Sequence, residues 1–97
     1  MIKDTKMQSE TKDALFDAIL ALKDKEECYR FFEDIMTVKE LQDVAQRWQV
    51  AKLLSEGNTY STIVSMTGAS AATISRVNKS LNYGNGSYHA LQERLKK

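Results

Sequence analysis

Apolar residues recur along this chain at three- and four-residue intervals, and polar breaks divide them into six runs. Ser9 can cap a first helix reaching about Lys23. Its apolar positions, Ala14, Leu15, Phe16, Ala18, Ile19, Leu20 and Leu22, take up most of the helix circumference. Such a helix needs cover on more than one side. Asp24, in the polar break Lys23-Asp24-Lys25, can cap a second helix from Lys25 to Ile35. Cys28, Phe31, Phe32 and Ile35 share one inward face, and Glu26 and Glu27 occupy the first turn, where the helix dipole favours acids. Thr37 and Glu40 have capping-box spacing for a third helix to about Ser55, with Gly57 just past its end. In its first half Val38, Leu41, Val44, Ala45 and Trp48 form an inward stripe. At about 100° per residue, Val50, Leu53 and Leu54 point nearly the opposite way. The stripe changes sides, and one small chain has difficulty covering both, so a second copy is expected to supply the missing cover.

The fourth and fifth runs, residues 59–81, read as two short helices around a tight turn. Thr59 caps Tyr60 to Met66, Gly68 lets the chain turn without a Cβ penalty, and Ser70 caps Ala71 to Leu81. Ile63, Met66, Ile74, Val77 and Leu81 have the spacing to pack inward together. The outward set of the second helix is Ala71, Ala72, Thr73, Ser75, Arg76, Asn78 and Lys79. These are the small, hydroxyl, amide and cationic groups that read base edges and phosphates in a major groove. Thr59, Tyr60, Ser61 and Ser70 stand where side chains and exposed N–H groups meet phosphates. After an Asn82 to Gly86 loop, Ser87 can cap a last helix, 87–96, whose apolar pair is Leu91 and Leu95.

Composition agrees with an all-α chain: of 97 residues none is Pro and only four are Gly. The organisation expected is a single domain over 1–97, with 1–8 a flexible lead-in, 9–57 the dimerisation helices, 59–81 the helix-turn-helix and 87–96 the terminal helix. A chain this short buries roughly 60% of its unfolded surface, another reason to expect a partner.

Net charge is only +1, but its distribution is uneven. Residues 1–35 hold six Lys/Arg against nine Asp/Glu, and residues 58–97 hold five against one. No Asp or Glu occurs between Asn58 and Gln92, so the outward face of the helix-turn-helix carries nothing that repels phosphate. An enzyme is not expected, because there is one His, one Cys, no phosphate-cradling Gly loop and no metal-ligand cluster. The single Cys28 excludes an intrachain disulfide framework and suits the reducing cytoplasm. No basic-then-apolar leader and no stretch of roughly eighteen apolar residues is present, so neither secretion nor membrane insertion is expected.

The order of the helices is similar to that of the Trp repressor family. Glu40, Arg47 and Leu53-Leu54 before Gly57 resemble the family's third helix, and Gly68-Ala69 with Ala72-Thr73-Ile74 and Arg76 resembles its turn and reading helix. The runs Gln46 to Leu54, Thr67 to Ser70, Thr73 to Asn78 and Leu81 to Gly84 look most like the YerC/YecD branch. The match is strong from Thr37 to Tyr88, whereas the first two helices agree by pattern only. The resemblance implies a six-helix Trp-repressor-like fold, an intertwined homodimer, and a repressor-like regulator of transcription on double-stranded DNA. Its two reading heads would enter successive major grooves of a palindromic operator.

The resemblance also implies an effector pocket. The family's founding member holds L-tryptophan between two arginines, and Thr37, Arg47, Arg76 and Ser80 stand at the matching positions. Val77 departs from the pattern: the founding member has Gly there, which leaves room for the indole, and Trp48 adds bulk nearby. The expectation is therefore no cofactor and no tryptophan bound in that way. Plainer readings compete at several residues. Arg76 could be an intramolecular ion-pair partner, Arg47 a solvated helix residue and Trp48 a core anchor. The rival for the whole chain is a dimeric helical adaptor that binds protein and no specific DNA.

Overall fold

The computed structural model describes residues 9–96, so the expected lead-in, 1–8, lies outside the described residues. Among them are six α-helices and no strand, the all-α class expected. The chain divides into two units, residues 1–37 and 38–97.

The first unit holds α1 (Glu10–Leu20) and α2 (Lys25–Ile35). The Ser9 hydroxyl accepts from the Lys12 N–H at 3.1 Å, and an Asp24 carboxylate oxygen accepts from the Glu27 N–H at 2.9 Å, so both expected caps form. Helix α1 stops earlier than Lys23. The N–H groups of Ala21 and Leu22 donate to Ala18 and Ile19, three residues back, which tightens the last turn and ends it. No side chain of either helix is buried, and Leu20 is 83% exposed. The apolar stripes of these helices are covered only in part: Leu15, Ile19, Cys28, Phe31 and Phe32 are half-buried, whereas Phe16, Leu20 and Ile35 are exposed.

The second unit is built on α3 (Val38–Ser55), which packs against α4 (Tyr60–Thr67), α5 (Ala71–Tyr83) and α6 (Ser87–Leu95); α4 and α6 also pack on α5. The core is Val50, Ala51 and Leu53 of α3, Ile63 of α4, Ala69 of the turn, and Ile74, Val77 and Leu81 of α5, with Leu54 and Tyr88 against it. Trp48 stacks on Tyr88 with ring centroids 6.0 Å apart and ties α6 to α3. The two halves of α3 differ as their stripes do. The second half is buried within the chain, whereas nothing from Val38 to Gln49 is, and Val38 is 74% exposed.

Three expectations are corrected in this unit. Met66 lies outside the core at 59% exposure; Ala69 of the turn, 2% exposed, completes the core beside Ile63 instead. Helix α5 continues to Tyr83, two residues past Leu81. Ser87 does not cap α6 but is its first helical residue. Gly86 holds the cap position at φ +81° without a side-chain bond, and its carbonyl already accepts from the Ala90 N–H at 3.0 Å. The end of α3 matches expectation: at Gly57, φ +86°, the Gly57 N–H reaches Leu54 and the Asn58 N–H reaches Leu53, a Schellman closure.

Gly84 terminates α5 by donating its N–H to the Ser80 carbonyl at 2.9 Å. A Cβ added there would overlap that carbonyl oxygen, which is backbone and has little room to retreat. Gly84→Ala is therefore expected to lower stability by about 1–3 kcal/mol, as overpacking does, read as an earlier urea midpoint with unchanged slope.

Candidate nucleic-acid interface

The two helices of the head are set by three local devices. The Thr59 hydroxyl accepts from the Thr62 N–H at 3.2 Å and starts α4. The Ser70 hydroxyl accepts from the Thr73 N–H at 3.1 Å and starts α5. Between them Gly68 turns at φ +74°, a left-handed value that Gly adopts without strain. Ile63, Ile74 and Val77 then anchor both helices to Val50 and Leu53 of α3, so the head is fixed to the long helix rather than hung from it.

Thr67 does more than break the pattern. Its hydroxyl donates to the Ile63 carbonyl at 2.7 Å and accepts from the Ala69 N–H at 3.0 Å, which locks the turn. The Gln46 amide of α3 donates to the Thr67 carbonyl at 3.2 Å. This contact, across 21 positions, pins the turn to α3. In the sequence, a single polar residue beside Arg47 carries no local signal of so distant a partner.

The expected contact residues lie on α4 and its N-cap, on α5 and at the end of the turn between them. Ala71, Ala72, Ser75, Arg76 and Lys79 are exposed on α5, with Thr73 half-buried at its first turn. Thr59, Tyr60 and Ser61 are exposed at the start of α4, and Ser70 at the start of α5. Among the described residues, Arg76 and Lys79 enter no ion pair. The pairs that form among these residues, Arg30–Glu26, Lys39–Asp43 and Lys96–Glu93, join exposed side chains three or four positions apart, none of them in α4 or α5. The intramolecular role considered for Arg76 is thus not taken up, and its charge faces solvent. Asn78 is half-buried and is occupied by the Asn82 amide, which donates to its side-chain oxygen at 3.1 Å.

The expected effector residues are divided between the two units. Thr37 ends the first unit. In the second, Arg47 is half-buried on α3, and Arg76 and Ser80 are exposed one turn apart on α5. Val77, 2% exposed, is packed into the core. A groove of about 340 Å³ lies between α3 and α6, lined by Trp48, Lys52, Ser55, Glu56, Gln92, Leu95 and Lys96. Among the described residues no cluster of His, Cys, Asp and Glu could hold a metal ion, and no helix is long and apolar enough to cross a membrane.

Comparison with known proteins agrees with this geometry. The family model described as Trp repressor protein matches residues 10–96. The chain belongs to the Trp repressor family. Within that family it is 55% identical over 91 residues to the uncharacterized protein YerC of Bacillus subtilis, covering 94% of this chain and 88% of that protein. A crystal structure of a TrpR like protein from Eubacterium eligens superposes with a TM-score of 0.91 at 53% identity, over 94% of both chains. One of a Trp repressor candidate from Staphylococcus aureus gives 0.92 at 48% identity, over 99% of this chain and 96% of that one. The chain is therefore a Trp-repressor-family protein of the YerC branch, and the family is one of regulatory DNA-binding proteins.

Proposed function

We propose that this protein is a sequence-specific, DNA-binding transcriptional regulator of repressor type. It acts as a homodimer in the cytoplasm, presenting α5 to the major groove. The observation that carries the reading is the head itself: an exposed face whose cations enter no ion pair among the described residues, inside an acid-free segment, on helices fixed to a core. Base contact falls to Thr73, Ser75 and Arg76, with Ala71 and Ala72 permitting close approach. Thr59, Tyr60, Ser61, Ser70 and Lys79 hold phosphates.

A second copy is supported by the uncovered apolar side chains. Val38 and Val44 of α3, Phe16 and Leu20 of α1, and Leu91 and Leu95 of α6 are all exposed in the single chain. Selection of bound duplexes from a random pool tests both points. The expected product is an inverted repeat with half-sites about 10 base pairs apart, and light scattering is expected to give twice the mass of one chain. Weak retention erased by moderate salt would favour the adaptor reading instead.

L-tryptophan is not an effector at Thr37, Arg47, Arg76 and Ser80 in this reading. Val77 cannot make room without leaving the core, and the Trp48 ring is held against Tyr88. Titration calorimetry is expected to show no binding; micromolar heat that disappears with Arg47→Ala would overturn this.

A further inference from the structure

We propose that Asn85-Gly86, the connection between α5 and α6, is a site of spontaneous deamidation, and that its product weakens the DNA binding proposed above. The chain has four asparagines, and three are protected. The Asn58 amide donates to the Leu53 carbonyl at 3.0 Å. The Asn82 amide donates to both the carbonyl and the side-chain oxygen of Asn78, so those two hold each other. Their following residues, Thr59, Lys79 and Tyr83, each carry a Cβ that crowds the backbone nitrogen needed for attack.

Asn85 differs on every count. It is exposed, makes no hydrogen bond among the described residues, and is followed by Gly86. Gly86 has no Cβ to hinder approach. Its N–H is likewise unbonded, because Gly86 occupies the cap position of α6, where only its carbonyl is engaged.

The reaction needs water alone. Hydroxide removes the Gly86 amide proton, and the nitrogen attacks Cγ of Asn85. An N–Cγ bond forms, the Cγ–Nδ2 bond breaks, and ammonia leaves with a proton from water. Water then adds to one of the two carbonyls of the five-membered ring. Opening gives aspartate at position 85 or its β-linked isomer, with no change of oxidation state. Either product places a carboxylate inside a segment that otherwise holds no acid from Asn58 to Gln92. That charge repels phosphates from just beyond the reading helix, and the attenuation grows with the age of the molecule.

The test is to age the purified full chain at mildly alkaline pH, map its peptides by mass, and measure affinity for a selected duplex before and after. Conversion is expected at Asn85 well ahead of Asn58, Asn78 and Asn82, faster at higher pH, and absent at that site in Asn85→Gln. Affinity at low salt is expected to fall roughly two- to fourfold, less at high salt, with unaged Asn85→Asp showing the same loss. No conversion at Asn85, or equal conversion at the other three, overturns the site. Conversion without loss of affinity overturns the consequence. That consequence rests on the DNA reading. Were the fresh protein to select no duplex, the reading would fail while the mass map still decided the chemistry.

Discussion

Arg76→Ala is expected to weaken binding to a selected duplex by roughly 5- to 150-fold, the about 1–3 kcal/mol that a good base or phosphate contact contributes. Two independent facts set this size. The guanidinium is exposed near the middle of α5, and no carboxylate of the described chain competes for it. Its full charge and five donors are therefore available to the ligand. The pattern of loss says which contact is made. If Arg76 reads a guanine edge, the variant loses discrimination at one operator position while the salt dependence barely changes. If it holds a phosphate, affinity falls evenly across sequences and the slope of log affinity against log salt shrinks by about 1. Lys79→Ala, one turn further on, is expected to behave in the second way only. An unchanged affinity and an unchanged slope for Arg76→Ala would remove the residue from the interface. Because Arg76 is exposed and forms no ion pair among the described residues, its loss should leave the melting temperature nearly where it was. A large fall in stability would point to a structural role instead.

Much of the head was legible in the sequence because its determinants are local. Thr59 and Ser70 cap through a neighbour three residues on, and Gly68 adopts a conformation few other residues accept. Periodicity alone placed Ala71, Ala72, Ser75, Arg76 and Lys79 on the exposed face of α5, but Thr73 and Asn78, expected there too, are half-buried. What could not be read depends on residues far apart in the chain. Met66 has the spacing of a core residue, yet Ala69 takes the place beside Ile63 once the turn folds back. The hold of Gln46 on the Thr67 carbonyl spans 21 positions and has no local signature. Whether Arg76 is free or paired likewise depends on which carboxylates fold near it; their absence from residues 58–92 made a free arginine the natural expectation but did not decide it. The change of side along α3 is the most informative case. Periodicity located it at Val50, and the structure buries only the half that α4, α5 and α6 cover. The other half is as apolar, and its exposure in one chain is the observation that supports the proposed second copy.

Ile63→Ala should show how far the proposed DNA recognition depends on the core beneath it. Ile63 is 0% exposed and stands where α4 meets α3 and α5. Truncation removes the apolar contacts of three carbons and leaves a cavity that a turn held by Thr67 and Gln46 cannot readily close. The expected cost is about 2–5 kcal/mol. Against a total stability of roughly 5–15 kcal/mol for a domain of this size, that is a large fraction. Met66→Ala, on the same helix but outside the core, should change stability by no more than about 0.5 kcal/mol, which separates burial from helix composition. Both are best compared by denaturant unfolding at one fixed protein concentration, since the proposed dimer makes stability depend on it. The binding consequence then follows from geometry. A loosened α4 no longer holds Thr59 and Ser61 in fixed relation to Ser75 and Arg76, so Ile63→Ala is expected to lose specificity before it loses all affinity. Non-specific attraction needs only the cations, whereas operator recognition needs both helices held in place. A variant that lost the full 2–5 kcal/mol of stability yet kept wild-type discrimination between selected and random duplexes would show that α5 reads DNA without support from α4.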